Sequence, residues 1–234
     1  MPDSPDGPAP RLTVIVLAYN EAACVAATCA EVHGVLVSLG VSFELLVVDD
    51  GSHDGTGALV DQFAAEHPAT RAIHHPSNLG LGGGYRTGFD QAIGQCVSFF
   101  PADGQFDPAE IIPRFLAEMD RGTDLVLGYI PDRKSSLVAK GLSQVERMLY
   151  RAMFGRFPRF QGIVMFRRAL LIDIPLVSSG RGWAVLMEFI LRVARGPYRV
   201  VGVANGLRPR LAGESKVNNW RTIRANLQQL WPLW

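Results

Sequence analysis

A single α/β domain, a mostly parallel β-sheet flanked by helices, is the architecture this sequence encodes. Two patterns point to it. Short β-rich apolar runs alternate with segments of helical spacing through the first 130 or so residues, the order expected of a parallel sheet covered on both faces. The runs also stop abruptly at clusters of Asp, Asn and Gly, which make turns. A length of 234 residues, 48% hydrophobic and 19% charged, is enough for one sizeable core.

The elements follow in order. Leu12 to Leu17 (LTVIVL) is a buried strand, ended by Ala18-Tyr19-Asn20-Glu21. Helical spacing runs from Glu21 to Leu39, and Gly40 stops it. Phe43 to Val48 (FELLVV) is the second strand, broken by Asp49-Asp50-Gly51-Ser52. A helix from about Gly55 to Glu66 and a short strand near Arg71 to His75 come next. His74 and His75, just ahead of Pro76, read as loop residues rather than a metal site. Asn78 to Gly88 holds five glycines among eleven residues and reads as a loop that lets backbone approach a ligand closely. A helix ending near Gly94 follows it, then the strand Cys96 to Phe100. Pro108 opens a helix, and Asp124 to Leu127 is a further strand. The second half predicts a helix over Ser135 to Phe154, a strand over Ile163 to Phe166, a helix over Trp183 to Arg195, and strands over Tyr198 to Val203 and Gly206 to Arg210. The tail from Lys216 to Trp234 has helical spacing and three of the four tryptophans.

Composition removes several classes of function. The longest charge-free runs fall short of the ~18–20 apolar residues of a membrane span. No secretory signal opens the chain; Met1 to Pro10, with four prolines, reads as a disordered leader. Cys24, Cys29 and Cys96 form neither a disulfide framework nor a metal-type pair, which makes a reducing cytosol the expected compartment. Residues 1–132 carry 5 Lys+Arg against 18 Asp+Glu, and residues 133–234 carry 18 against 4, so the net charge of +1 conceals a strongly basic second half. Its reading is either two differently charged surfaces of one domain or a basic face for an anionic partner. No nucleic-acid motif accompanies it, so nucleic acid is not an expected partner. The first strand-to-helix turn lacks GxGxxG and no Gly-Lys occurs anywhere, which excludes a dinucleotide fingerprint and a Walker loop.

What remains is acid at the strand ends: Glu21 after the first, Asp49 and Asp50 after the second, Asp103 and Asp107 after the fourth. In a parallel sheet these ends share one edge, where ligands bind. Convergent carboxylates suit a cation, a hydrogen-bonding sugar or base, or a proton in transfer, and Mg2+ or Mn2+ completed by substrate phosphates is a common solution.

VIVLAYNE (Val14 to Glu21), ELLVVDDGSHDGT (Glu44 to Thr56), NLGLGGGYRTGF (Asn78 to Phe89), FFPADGQFDP (Phe99 to Pro108), GIVMFRR (Gly162 to Arg168) and PRLAGESK (Pro209 to Lys216) stand in this order. With them the chain resembles the inverting family 2 glycosyltransferases of the GT-A (Rossmann-like) fold, over about residues 11 to 230. Within that family it is similar to the polyprenyl-phosphate sugar transferases of the dolichol-phosphate mannose synthase type. The resemblance implies a GDP- or UDP-hexose donor, a polyprenyl or dolichyl phosphate acceptor, and Mg2+ or Mn2+. Leu17, Tyr19, Glu21, Val48, Asp50 and Ala102 would line the donor, with Asp50 meeting the base and Asp49 orienting its loop. Asp103, with Gln105, would hold the metal, and Arg210 and Lys216 would close over the diphosphate. Glu188 is a candidate for a proton-transfer or orienting role; the alternative is a helix-surface carboxylate paired with Arg192 at i+4.

The same resemblance divides the chain into a leader (1–10), one GT-A domain (11–216) and an amphipathic C-terminal helix (217–234). The nucleotide-sugar part of the domain covers about 11–130 and the acceptor side about 131–216. A lipid acceptor implies peripheral attachment to the cytoplasmic face of a membrane with an anionic surface; homo-oligomerisation is left open. There are departures from the family. Pro101 stands where the metal motif has its first Asp, Ile130 where Arg is frequent, and Pro158 where many relatives carry Asp. They leave two other readings open: a saccharide acceptor, or a non-catalytic binding protein on the same fold.

Overall fold

The computed structural model describes residues 8–131, 160–178 and 180–209. Strands β1 (Leu12–Ala18), β2 (Phe43–Asp49), β3 (Thr70–His74), β4 (Cys96–Pro101), β5 (Leu125–Tyr129), β6 (Val164–Arg167) and β7 (Val200–Ala204) form one sheet in the order β3-β2-β1-β4-β6-β5-β7. Pairs β1–β2, β2–β3, β1–β4 and β5–β7 are parallel, while β6 runs antiparallel to both β4 and β5. The C-terminal ends of six strands therefore share one edge, as the alternating pattern requires.

Alternation within strands sorts the core. Ile15, Leu46, Val48, Val97 and Phe99 face one side of the sheet, with Val14, Val16, Leu45, Val47 and Phe100 on the other. The first side is covered by α3 (Gly80–Gln91) and α6 (Ala184–Arg195), whose Phe89 and Phe189 meet Phe99 and Phe166 of the sheet at ring separations of 4.6–5.7 Å. The second is covered by α1 (Val25–Ser38), α2 (Thr56–Glu66) and α4 (Pro108–Asp120). A one-turn helix α5 (Leu170–Asp173) follows β6. The start of α4 follows from local chemistry: Asp107 Oδ1 accepts from Ala109 N at 2.9 Å, and Pro108 occupies the first helical position, where a missing N–H costs nothing.

Several expectations change. The first helix begins at Val25 rather than Glu21, because Asn20 takes a left-handed φ of 51° and the Glu21 carbonyl accepts from Cys24 N and Val25 N. The stretch Asn78 to Gly88 is not a loop throughout; its glycines lie at the start of and inside α3. They bring the helix against the protein itself: a Cβ at Gly82 would stand 1.8 Å from the Gly180 carbonyl oxygen, and one at Gly88 2.7 Å from Phe99. Residues 206–209 form no strand. His74 lies in β3, and neither histidine is a bystander, as described below. The predicted helix at 135–154, Pro158 and the tail after Pro209 lie outside the described residues. No helix among the described residues is long and apolar enough to cross a membrane.

Candidate active site

At the carboxylate edge, the loops after β1 and β2 are laced together. Asn20 N donates to Ser52 Oγ (2.9 Å), Glu21 N to Thr56 Oγ1 (2.9 Å), Ala22 N to Asp54 Oδ2 (3.1 Å) and His53 N to Asn20 Oδ1 (2.9 Å). Glu21 and Tyr19 stand half-buried on this shared rim, and His53 is exposed. Gly51 permits the turn: its φ is +69°, and a Cβ there would lie 2.5 Å from the Ser77 backbone. Asp49 accepts from Ser52 N at 3.1 Å, which fixes the turn as the sequence suggested.

Asp50 is bonded through both carboxylate oxygens. Its Oδ1 accepts from His75 Nδ1 (2.7 Å) and Leu79 N (2.8 Å), and its Oδ2 from Asn78 Nδ2 (2.8 Å) and Gly80 N (2.8 Å). It thus satisfies two of the amides that the start of α3 leaves without helical partners. Asn78 in turn accepts from Arg181 at 2.6 Å. The second histidine pairs with the second acid: His74 Nδ1 lies 3.1 Å from Asp49 Oδ2 and Nε2 2.8 Å from Asp61. Burial alone would lower the His74 pKa, but Asp49 and Asp61 prevail and raise it.

Two strands away, Ala102 N donates to the Leu17 carbonyl (3.0 Å), while Asp50 N donates to that of Ala18 (2.8 Å), so β1 holds the ends of β2 and β4 side by side. Asp103 is 6% exposed and its Oδ1 accepts from Gln105 N across the left-handed Gly104. The segment after β7 docks on this loop. Arg208 N donates to the Gln105 carbonyl at 2.8 Å, and the Arg208 guanidinium bridges Glu31 (2.9 Å) and Asp107 (2.5 Å). The described chain ends at Pro209, one residue past these Arg208 contacts; Arg210 and Lys216 lie outside the described residues.

The fold therefore gathers Leu17, Tyr19, Glu21, Val48, Asp50, Ala102, Asp103 and Gln105 at one edge. Val48 and Ala102 are packed into the two cores there. Glu188 is not among them. It sits on α6 with 0% exposure, accepting from Val177 N (3.1 Å), Ser178 N (2.7 Å) and Arg192 Nε (2.8 Å). The i+4 pair with Arg192 is real, but the carboxylate is buried, not on the surface. Burial would raise its pKa; the contacts from Ser178, Val177 and Arg192 outweigh that and lower it. Those contacts tie α6 to the backbone at 177–178, and just beyond it Gly180, Arg181 and Gly182 pack against the glycines of α3. A cavity of about 470 Å3, lined by Arg86, Phe89, Ile93, Arg168 and Leu176 among others, lies at the far end of α3 and plays no part in the carboxylate edge. Reading the sequence missed His75, Asn78, Thr87, Arg181 and Arg208; an acid pair and a histidine pair at the ends of consecutive strands was the available signal.

One carboxylate, Asp103, remains of the expected metal motif, and no grouping of three or more His, Cys, Asp or Glu side chains among the described residues forms a cage. That donor set fits Mg2+ or Mn2+ in its substrate-assisted form, in which one or two carboxylates share the ion with phosphate oxygens.

Residues 13–174 match the family model described as Glycosyl transferase family 2. The polyprenol monophosphomannose synthase of Mycolicibacterium smegmatis is 31% identical over 226 residues, covering 90% of this chain and 82% of the relative. The undecaprenyl-phosphate mannosyltransferase of Micrococcus luteus is 31% identical over 220 residues, covering 89% and 88%. Among solved structures, glucosyl-3-phosphoglycerate synthase of Mycobacterium tuberculosis in complex with Mn2+, UDP and phosphoglyceric acid superposes with a TM-score of 0.71 at 19% identity, over 95% of this chain and 78% of that one, which establishes the GT-A fold.

Proposed function

The chain belongs to glycosyl transferase family 2, and from that premise we propose that it moves a hexose from a GDP- or UDP-sugar to a polyprenyl phosphate at a membrane surface. The observation that carries this reading is the 31% identity, over nine-tenths of the chain, to a polyprenol monophosphomannose synthase. The site is consistent with it. On this reading Tyr19, Glu21 and the Asp50 carboxylate line the donor side, Asp103 stands beside the diphosphate, and Arg210 and Lys216, which follow Arg208 in the sequence, bind the diphosphate.

The acceptor phosphate oxygen attacks the anomeric carbon in line, the bond from that carbon to the diphosphate oxygen breaks, and the nucleotide diphosphate leaves with its electron pair. A phosphate is ionised at neutral pH, so no strong general base is needed, and Pro158 is tolerable for this acceptor in a way it would not be for a hydroxyl. Arg210 and Lys216 stabilise the negative charge growing on the leaving group. Asp103, with Gln105 nearby, would hold Mg2+ or Mn2+, which would supply Lewis-acid neutralisation of that diphosphate.

Residues 11–216 act as the transferase domain. Membrane contact falls to the basic second half, with the 135–154 segment and the tail after Lys216 bringing tryptophan and arginine to the interface on the cytoplasmic face. Each basic residue near an anionic surface contributes about 1 kcal/mol, so salt-sensitive cosedimentation with anionic liposomes that weakens on removing residues after Lys216 is expected. Indifference to anionic liposomes at low salt would remove the surface role.

The deciding experiment incubates the purified chain with GDP-mannose or UDP-glucose, Mn2+ and polyprenyl phosphate, and detects the glycosylated lipid by mass spectrometry. Transfer to a saccharide instead would reassign the acceptor. Nucleotide binding without any transfer would make the protein a binding module.

A further inference from the structure

His75 is a buried titratable group, 8% exposed, that the reaction above does not use. Its ring is bonded at both ends. Nδ1 lies 2.7 Å from Asp50 Oδ1, and Nε2 lies 2.8 Å from the Thr87 hydroxyl on α3. An ionised carboxylate only accepts, so Nδ1 carries a proton toward Asp50, and in the neutral ring Nε2 accepts from Thr87. The four donors on Asp50 occupy its roughly four lone-pair positions. The two oxygens are nevertheless held differently. Oδ1 is gripped by the His75 ring and by Leu79 N. Oδ2 is shared between Gly80 N and the side-chain amide of Asn78, whose other end is tied to the exposed Arg181. A ligand N–H reaches Oδ2 only by replacing the Asn78 amide, one donor for another, which leaves the Oδ1 contacts in place.

We propose that His75 is a positioning residue for the donor base: braced on α3 through Thr87, it clamps Oδ1 of Asp50 so that Oδ2 is presented to a ring N–H of the nucleotide. This rests on the donor-site reading above. Uracil N3–H and guanine N1–H offer such a donor. Cytosine N3 offers only a lone pair, which the carboxylate repels.

Calorimetric titration of the full chain with UDP, GDP, CDP and inorganic pyrophosphate, each with Mn2+, tests the assignment in wild type, His75→Ala, His75→Asn and Thr87→Val. His75→Ala weakens the preferred nucleotide by about tenfold, the worth of one hydrogen bond to a charged group, and its advantage over CDP shrinks equally. Pyrophosphate affinity stays unchanged. His75→Asn, whose amide donates in place of Nδ1–H, recovers most of the loss. Thr87→Val, which removes only the brace, lowers the preference in the same direction, and carries the test should His75→Ala fail to fold.

An unchanged preference over CDP in both His75→Ala and Thr87→Val overturns the proposal. So does equal loss of nucleotide and pyrophosphate, the signature of a general structural role, or an Asn variant no better than Ala. Wild-type protein that binds none of the nucleotides overturns the donor-site reading and this inference with it; wild-type binding matched by the variants overturns this inference alone.

Discussion

Residues 12–129 and residues 160–209 use charge in opposite ways. In the first region acids stand at strand ends, and several are bonded to the backbone of neighbouring turns: Asp49 to Ser52, Asp50 to the start of α3, Asp107 to the start of α4. In the second region the cations are clasps. Arg208 spans Glu31 and Asp107, Arg167 pairs with Asp124 at 3.4 Å, Arg192 with Glu188, and Arg181 holds Asn78. Part of the basic excess is thus spent binding the second region to the acidic first. A lopsided charge distribution is not by itself the footprint of an anionic partner, and the part of it that faces ligand must be found residue by residue.

Substitutions can break this contrast. The largest effect is expected at Asp103. Asp103→Ala should lower sugar transfer by roughly a hundredfold or more, the scale of removing one electrostatic stabiliser of a transition state, with the unfolding midpoint little changed. Wild-type turnover in that variant, or in excess chelator, would separate the acidic edge from the chemistry.

Next comes Glu188, an acid that works like the clasps. Glu188→Ala should cost about 3–5 kcal/mol of stability, the range for breaking a buried pair, read from urea unfolding. A donor KM change with unaltered stability would return it to the site. Its folded-state pKa is lowered, so the group stabilises the protein above its unfolded value near 4.5, and that contribution is lost as pH falls through the folded value. The Glu188→Gln variant should accordingly show a flatter acid limb as pH falls below about 4.5.

Arg210 and Lys216 should behave as ligand cations rather than clasps. Either alanine substitution should cost about 1.5–3 kcal/mol of nucleotide diphosphate affinity, with nucleoside binding nearly unaffected; equal losses would class them with Arg208.

The smallest effects compare two helical glycines. Gly82→Ala, which drives a methyl into the Gly180 carbonyl, should destabilise by about 1–3 kcal/mol. Gly34→Ala, with nothing within 4 Å, should stabilise by up to about 1 kcal/mol through helix propensity. Thermal unfolding of the pair measures whether the glycines of α3 serve the seam with residues 180–182.

Much was legible in the chain. The β1 to β4 runs are apolar and short, and Asp107-Pro108 announces α4 by capping chemistry, so elements and their order follow from local pattern. The rim residues Tyr19, Glu21, Asp50 and Asp103 were legible too, because strand ends of a parallel sheet must share an edge. Glycine-rich α3 was misread, since five glycines argue locally for a loop and only packing on Leu17, Ile15, Phe99 and the 180–182 strap explains a helix there. Glu188 was read as a proton-transfer or orienting group, with a surface pair to Arg192 as the alternative; helical spacing reports the i+4 partner but not the 177–178 backbone that packs over it.

By itself the sequence determined periodicity, turns, caps and the acidic strand ends, all properties of residues within a few positions of one another. Only the tertiary structure decided that β6 is inserted antiparallel between β4 and β5, that Asp49 meets His74 through parallel register, and that Asp50, His75 and Thr87 form one line. Those partners lie 12 to 25 positions apart or more. Nothing in a local pattern fixes such distances; the shared burial of both sheet faces does, because it permits one register of strands and one seating of each helix.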